Sequence, residues 1–229
     1  MNTSSINLST IRRYLQAKLK SQDVLICDIN SLRKNKFVLT ALISEKKYCV
    51  YLQQNHSLYY EQIIMSQLGK FSPKVVFYDQ SKKCFPYEIM LVEHSGEASL
   101  MKKILQNKKI DFVSIGKAIQ KLHGLPPKSC PKLKDKFKEI HKTLVTQTLT
   151  IQNRFPALSS DILRQLKSFP SIKLNMLISH NDLSSHNIIL GRDVPVMIDY
   201  DSLGYNVKEY DLAYLFSHLA LTPLRNNKI

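Results

Sequence analysis

Residues 177–218 read LISHNDLSSHNIILGRDVPVMIDYDSLGYNVKEYDLAYLFSH. The short apolar lead Leu177-Ile178 runs into His180, Asn181 and Asp182, and Asn187 stands five residues past that aspartate. Asn187 to Leu190, a turn at Gly191-Arg192-Asp193 and the apolar run from Val194 to Ile198 together predict a small hairpin. Asp199 closes the second run, twelve residues beyond Asn187, and opens Asp199-Tyr200-Asp201. A hairpin with an amide at one end and a carboxylate at the other can aim both at a single cation.

That donor set suits phosphoryl transfer. One carboxylate must orient an attacking hydroxyl and accept its proton, while an amide oxygen and a second carboxylate hold Mg2+ against nucleotide phosphates. Magnesium takes hard oxygen ligands and uses few protein groups, with phosphates and water filling the remaining positions. Asp182 fits the base role, and Asn187 and Asp199 fit the metal roles. Asp and Asn are also common turn residues for local hydrogen-bonding reasons. The ordered spacing, the hairpin and the downstream run Asp211-Leu212-Ala213 set this stretch apart from ordinary turns.

His180-x-Asp182-x-x-x-x-Asn187, followed by an apolar residue and Asp199, resembles the catalytic core of the kinase-like phosphotransferases. His-Asn-Asp-Leu is similar to the small-molecule branch, which holds aminoglycoside phosphotransferases and choline/ethanolamine kinases. Ile198-Asp199-Tyr200-Asp201, Gly204-Tyr205-Asn206 and Tyr210-Asp211-Leu212-Ala213 look most like the choline/ethanolamine kinase subgroup. The resemblance implies an α+β, bilobal protein-kinase-like fold. Residues 1–95 would form a small antiparallel-sheet lobe, and residues 96–229 a mainly helical lobe carrying the catalytic loop and the hairpin. It also implies ATP and Mg2+ as cofactors, His180 and Asp211 as braces of the catalytic loop, and Asp201 in the metal shell or facing a cationic acceptor.

Upstream, residues 6–20 place Ile6, Ile11, Tyr14, Leu15 and Leu19 at helical spacing, with Ser9 or Thr10 as the cap. Strand-like runs follow from Val24 to Cys27, Phe37 to Ile43 and Tyr48 to Leu52, predicting a small antiparallel sheet. The family places a phosphate-covering loop between its first two strands, yet the segment from Asp28 to Lys36 holds no glycine. The family's third strand carries a basic residue for the phosphates, whereas the matching place here holds Tyr51, uncharged at neutral pH. Lys46 or Lys47, at the start of that strand, is then the candidate source of the missing charge. Residues 57–69 read as a helix capped by Gly69, with Leu58, Ile63 or Ile64, and Leu68 inward. Glu61 stands where the family puts the partner of that basic residue. Lys74 to Tyr78 and Tyr87 to Val92 are two more strands, and Val92, Glu93 and His94 fall at the hinge whose backbone binds adenine in the family.

Helices are predicted over 98–107, 111–124, 132–153, 159–169 and Val207 to Leu221. Phe112, Ile115, Ile119 and Leu122 share one face of the second, and Leu133, Phe137, Ile140, Leu144 and Val145 one face of the third. Leu122-His123-Gly124-Leu125-Pro126 resembles a family signature in which His123 is structural. A chain of 229 residues with 44% hydrophobic content can bury a substantial core. No apolar run is long enough for a transmembrane helix. Four scattered cysteines and an N-terminus without a secretory pattern point to a reducing, cytoplasmic setting. The net charge of +15 owes much to residues 101–142, with twelve lysines against three acids. Few arginines and no alternating aromatics accompany them, so a solvated face is expected rather than a specific nucleic-acid partner.

Two functional readings follow. The first is an enzyme that phosphorylates the hydroxyl of a small molecule, with an amino alcohol such as choline or ethanolamine as the leading acceptor and an aminoglycoside or sugar next. The second is a catalytically impaired, kinase-like binding protein. Its support is the glycine-free loop, the tyrosine at position 51, and a chain that stops soon after its last helix without the tryptophan a cation–π cage favours.

Overall fold

The computed structural model describes residues 7–33, 36–54, 58–168, 175–191 and 194–226. Ile6, Ser57, Arg192, Asp193 and the last three residues lie outside them. The chain divides by its contacts into two units, residues 1–98 with 189–198, and residues 99–188 with 199–229.

The first unit begins with α1 (Leu8–Leu19). Its cap is Asn7, two residues before Ser9 and three before Thr10. The Asn7 side chain accepts from the Thr10 amide at 3.1 Å, a bond worth about 1 kcal/mol. Ile11 and Leu15 form the buried stripe of the helix. They pack with Val24, Leu39, Ala41, Ile43, Val50 and Leu52 on one face of a five-stranded antiparallel sheet. Its strands are β1 (Val24–Arg33), β2 (Lys36–Ile43), β3 (Lys46–Gln53), β4 (Val75–Asp79) and β5 (Glu88–Glu93), in the order β1-β2-β3-β5-β4. Alternation along β2 and β3 sends Leu39, Ala41, Val50 and Leu52 to this face.

β1 is longer than its apolar run suggests. It continues through Asp28 to Arg33 across two register shifts, so the glycine-free connection is a nearly complete hairpin rather than an open loop. α2 (Leu58–Leu68) buries Leu58, Ile64, Met65 and Leu68, and with them Glu61. Gly69 follows at φ +59, the left-handed geometry that a glycine takes without strain.

The second unit holds α3 (Leu100–Leu105), α4 (Phe112–His123), α5 (Lys136–Ile151), α6 (Pro156–Ser168) and α7 (Lys208–Asn226). α4 is capped by Asp111 and buries Ile115, Ala118, Ile119 and Leu122. Phe112 departs from expectation: it is 51% exposed, because it is the first helical residue and precedes the turn on which the buried stripe starts. Leu144 is likewise exposed; α5 lies at the surface of its unit and buries only Thr148. The segment Gly204–Val207 forms a strand, β9, antiparallel to β6 (Met176–Ser179), so α7 begins one residue later than predicted and runs to Asn226. The hairpin β7 (Ile188–Leu190) and β8 (Pro195–Met197) forms as its own two-stranded sheet, which from residue 189 onward belongs to the first unit. No described helix is long and apolar enough to cross a membrane.

Candidate active site

The loop between β6 and β7 is held by the first turns of α7. Asp211 is fully buried and accepts the His180 amide at 3.0 Å and the Asn181 amide at 2.8 Å. His123, at the end of α4, meets the same carboxylate at 2.9 Å. Burial pushes the Asp211 carboxyl up, but the His123 hydrogen bond, the attraction of His180 and two backbone donors outweigh it and hold it below the usual range. Asn181 takes a left-handed conformation, φ 63, which asparagine tolerates. Its side chain donates to the Ser179 carbonyl at 3.0 Å and accepts from Asn206 of β9 at 2.7 Å. His180 is buried, its ring tilted against Tyr200 with centroids 5.0 Å apart.

This bracing presents Asp182, which is half-buried. Asn187 donates its amide N–H to the Asp182 carbonyl at 2.8 Å and reaches the carboxylate at 3.4 Å. That contact fixes which end of the amide is nitrogen and turns Oδ1 away from the Asp182 carbonyl. Sequence reasoning missed a further contact: the Tyr214 phenol on α7 donates to Asp182 Oδ1 at 2.9 Å. Asp199 sits at φ 62, ψ 68, immediately before the short turn Tyr200–Ser202 that carries Asp201. A non-glycine residue held in the left-handed region is a costly conformation that recurs at functional sites. Asp199 and Asn181 both adopt it within this unit.

The remaining predicted residues belong to the first unit. Glu61 is buried, and its carboxylate receives Lys36 Nζ at 3.3 and 3.4 Å. The side chains are 5% and 2% exposed. Lys36 lies diagonally across the β2–β3 ladder from Tyr51, and its ammonium stands 5.0 Å from the centre of that ring. A cation therefore stands beside position 51, carried by the neighbouring strand. Neither Lys46 nor Lys47 supplies it: Lys46 is exposed, and Lys47 pairs with Glu97 at 2.6 Å. The only sequence clue to Lys36 was its place at the end of the glycine-free connection.

Val92 is buried on β5, opposite Cys49. The Glu93 amide donates to the Lys74 carbonyl at 2.9 Å and the His94 amide to the Lys47 carbonyl at 3.2 Å, so those two amides are not donors for a base edge. Among the described residues no three His, Cys, Asp or Glu side chains form a metal cluster. A cation here would rely on an amide, a carboxylate and its ligand's own oxygens.

The folds that match are kinase-like phosphotransferases. A spectinomycin phosphotransferase in complex with ADP and spectinomycin superposes with a TM-score of 0.63 at 16% identity, over 90% of this chain and 72% of that one. A choline/ethanolamine kinase family protein from Mesorhizobium loti gives 0.63 at 17% identity, over 96% and 73%. A thermostable aminoglycoside phosphotransferase mutant with ADP and hygromycin B gives 0.62 at 9%, over 90% and 76%. No curated protein matches the sequence. The family model described as choline/ethanolamine kinase matches residues 89–226, more than half of the chain. The protein belongs to the choline/ethanolamine kinase family.

Proposed function

We propose that the protein transfers the γ-phosphate of ATP to the hydroxyl of a small amino alcohol of the choline or ethanolamine kind, with Mg2+. The observation that carries this reading is the Asp182 carboxylate, presented by a loop whose backbone is tied to Asp211 and whose partner Asn187 sits at 2.8 Å from the Asp182 carbonyl. Asp182 orients the alcohol and takes its proton, the role positioning demands when the transition state is loose. Asn187 and Asp199 are the hard oxygen donors that would hold Mg2+, and their small number fits an ion that shares its shell with phosphates and water. Bound there, the ion neutralises charge on the phosphates. Lys36, oriented by Glu61, adds a fixed positive charge for them. We assign the segment Val92-Glu93-His94 to the adenine through its carbonyl oxygens rather than the Glu93 and His94 amides, which are already paired, and Asp201 to the acceptor's ammonium.

The Lys36–Glu61 pair counts against the impaired binding protein, whose main support was the absent charge. An aminoglycoside or sugar acceptor remains the second reading, favoured by the antibiotic phosphotransferases among the matching folds. The test is ADP release with a panel of choline, ethanolamine and aminoglycosides, alongside thermal shift with Mg·ATP. Magnesium-dependent release with an amino alcohol, abolished in Asp182→Asn, is the expected outcome. Absence of both stabilisation by Mg·ATP and ADP release with every acceptor would overturn the proposal.

A further inference from the structure

We infer that Tyr214 selects the alcohol over water: its phenol occupies the Asp182 oxygen until an acceptor hydroxyl takes its place. The inference deepens the phosphotransferase reading and rests on it. Tyr214 lies one helical turn after Asp211 on α7, so one face of this helix fixes both parts of the base. Asp211 holds the backbone at His180 and Asn181, and Tyr214 holds the side chain of Asp182 through Oδ1 at 2.9 Å. The other carboxylate oxygen is reached by Asn187 at 3.4 Å. The phenol takes one of the acceptor positions of Oδ1, so an attacking hydroxyl must share that oxygen with it or displace it.

The phenol stays a donor at physiological pH. Burial, the hydrogen bond to Asp182 and the charge of Asp182 together push its pKa up to about 12. Its ring stacks at 29° on Tyr210, centroids 6.1 Å apart, and Tyr210 lines a concavity of about 300 Å³ together with Asn181, Ser202 and Glu139. An acceptor has a body that can gain binding energy in such a concavity, whereas water has none. The displaced phenol can then turn toward the incoming ligand or solvent.

Two competing reactions follow. In transfer, the acceptor oxygen bonds to the γ-phosphorus, the bond to the bridging oxygen of ADP breaks, and the alcohol proton passes to Asp182. In hydrolysis, water replaces the alcohol, its proton goes to the same carboxylate, and inorganic phosphate is released with ADP. Tyr214 disfavours the second course, because water lacks the binding energy to displace a hydrogen bond to a charged group.

Tyr214→Phe keeps the ring and removes the hydroxyl. ATP hydrolysis without acceptor is expected to rise about tenfold in this variant, the size of one hydrogen bond to a charged group. The KM for choline or ethanolamine, whichever the wild type uses, is expected to fall while kcat stays within about twofold, because the acceptor no longer displaces a bond. Placed in an Asp182→Asn background, the same change should give no gain, since the carboxylate it guards is gone. A merely structural tyrosine would leave the ratio of hydrolysis to transfer unchanged, and an unchanged ratio in a variant that melts like the wild type overturns the inference alone. A wild type that neither hydrolyses ATP nor phosphorylates any acceptor removes the phosphotransferase reading, and the inference with it.

Discussion

Lys36→Met tests two separable consequences of one buried contact. Lys36 and Glu61 are almost wholly shielded, at 5% and 2% side-chain exposure, with the ammonium near both carboxylate oxygens. Methionine keeps most of the stem volume and removes the charge, which leaves the Glu61 carboxylate buried without this cation. Breaking a buried pair from one side costs about 3–5 kcal/mol. Replacing both partners removes most of that penalty, so Lys36→Met with Glu61→Gln should recover to within about 1 kcal/mol of the wild type in urea unfolding. Nucleotide affinity should not recover. The double variant folds, yet lacks the fixed charge for the phosphates, and its Mg·ATP affinity should stay about a hundredfold down, the scale of roughly 3 kcal/mol for one desolvated charge contact. Isothermal titration with Mg·ATP and urea melts on the wild type and both variants separate the effects. A double variant that binds Mg·ATP within about threefold of the wild type refutes the assignment of Lys36 to the phosphates and leaves it a structural pair.

Asp182→Asn should lower kcat by about 10²–10⁴ while Mg·ATP still stabilises the fold, since general-base catalysis is worth about that much; loss of nucleotide binding instead would mean the residue is structural. Asp211 carries a pH dependence. Its carboxyl is held below the usual range in the fold, so it contributes stability that is full above the ordinary aspartate value near about 4 and is lost as pH falls through the folded value. Asp211→Asn should therefore melt earlier than the wild type at neutral pH, with the gap narrowing as the pH falls below that ordinary value; a constant gap on acidification would contradict the argument. Gly204→Ala should cost about 1–3 kcal/mol of overpacking, because an added Cβ would stand 2.8 Å from the Lys134 carbonyl and against the Lys136 stem; an unchanged denaturant midpoint would show that this approach relaxes freely.

What could be read from the sequence was local, and what could not was reached across it. The Asp182–Asn187 contact spans five residues and follows from one loop, so its spacing is visible in the chain. The α2 helix was legible from its apolar period and from Gly69, whose φ of +59 is a backbone requirement written as a residue type. Lys36 was hidden because its partner is 25 residues away, and because a charged residue ending a hairpin connection looks like solvent-facing turn chemistry. Only the register of β2 against β3 reveals that it lies diagonal to Tyr51. β9 was missed because Gly204–Val207 is four residues with no alternating apolar pattern, and its strand character comes from pairing with β6. The cap of α1 was misplaced because Asn7, Ser9 and Thr10 all satisfy the same rule, and only the observed acceptor separates them.

Tyr214 shows why residue type alone could not locate the rest of the site. In a helix read by period, a tyrosine one turn past a buried aspartate is a packing residue, and half of its ring is that. Its hydroxyl becomes chemical only because Asp211 first fixes the loop that carries Asp182, so the second contact depends on the first. The two can be separated experimentally. If Asp211 acts upstream, Asp211→Asn should abolish the difference between tyrosine and phenylalanine at position 214 in acceptor-independent ATP hydrolysis, because Asp182 is no longer held in reach of the phenol. If the difference survives intact, Tyr214 holds Asp182 without the brace, and the ordering argued from the helix is wrong.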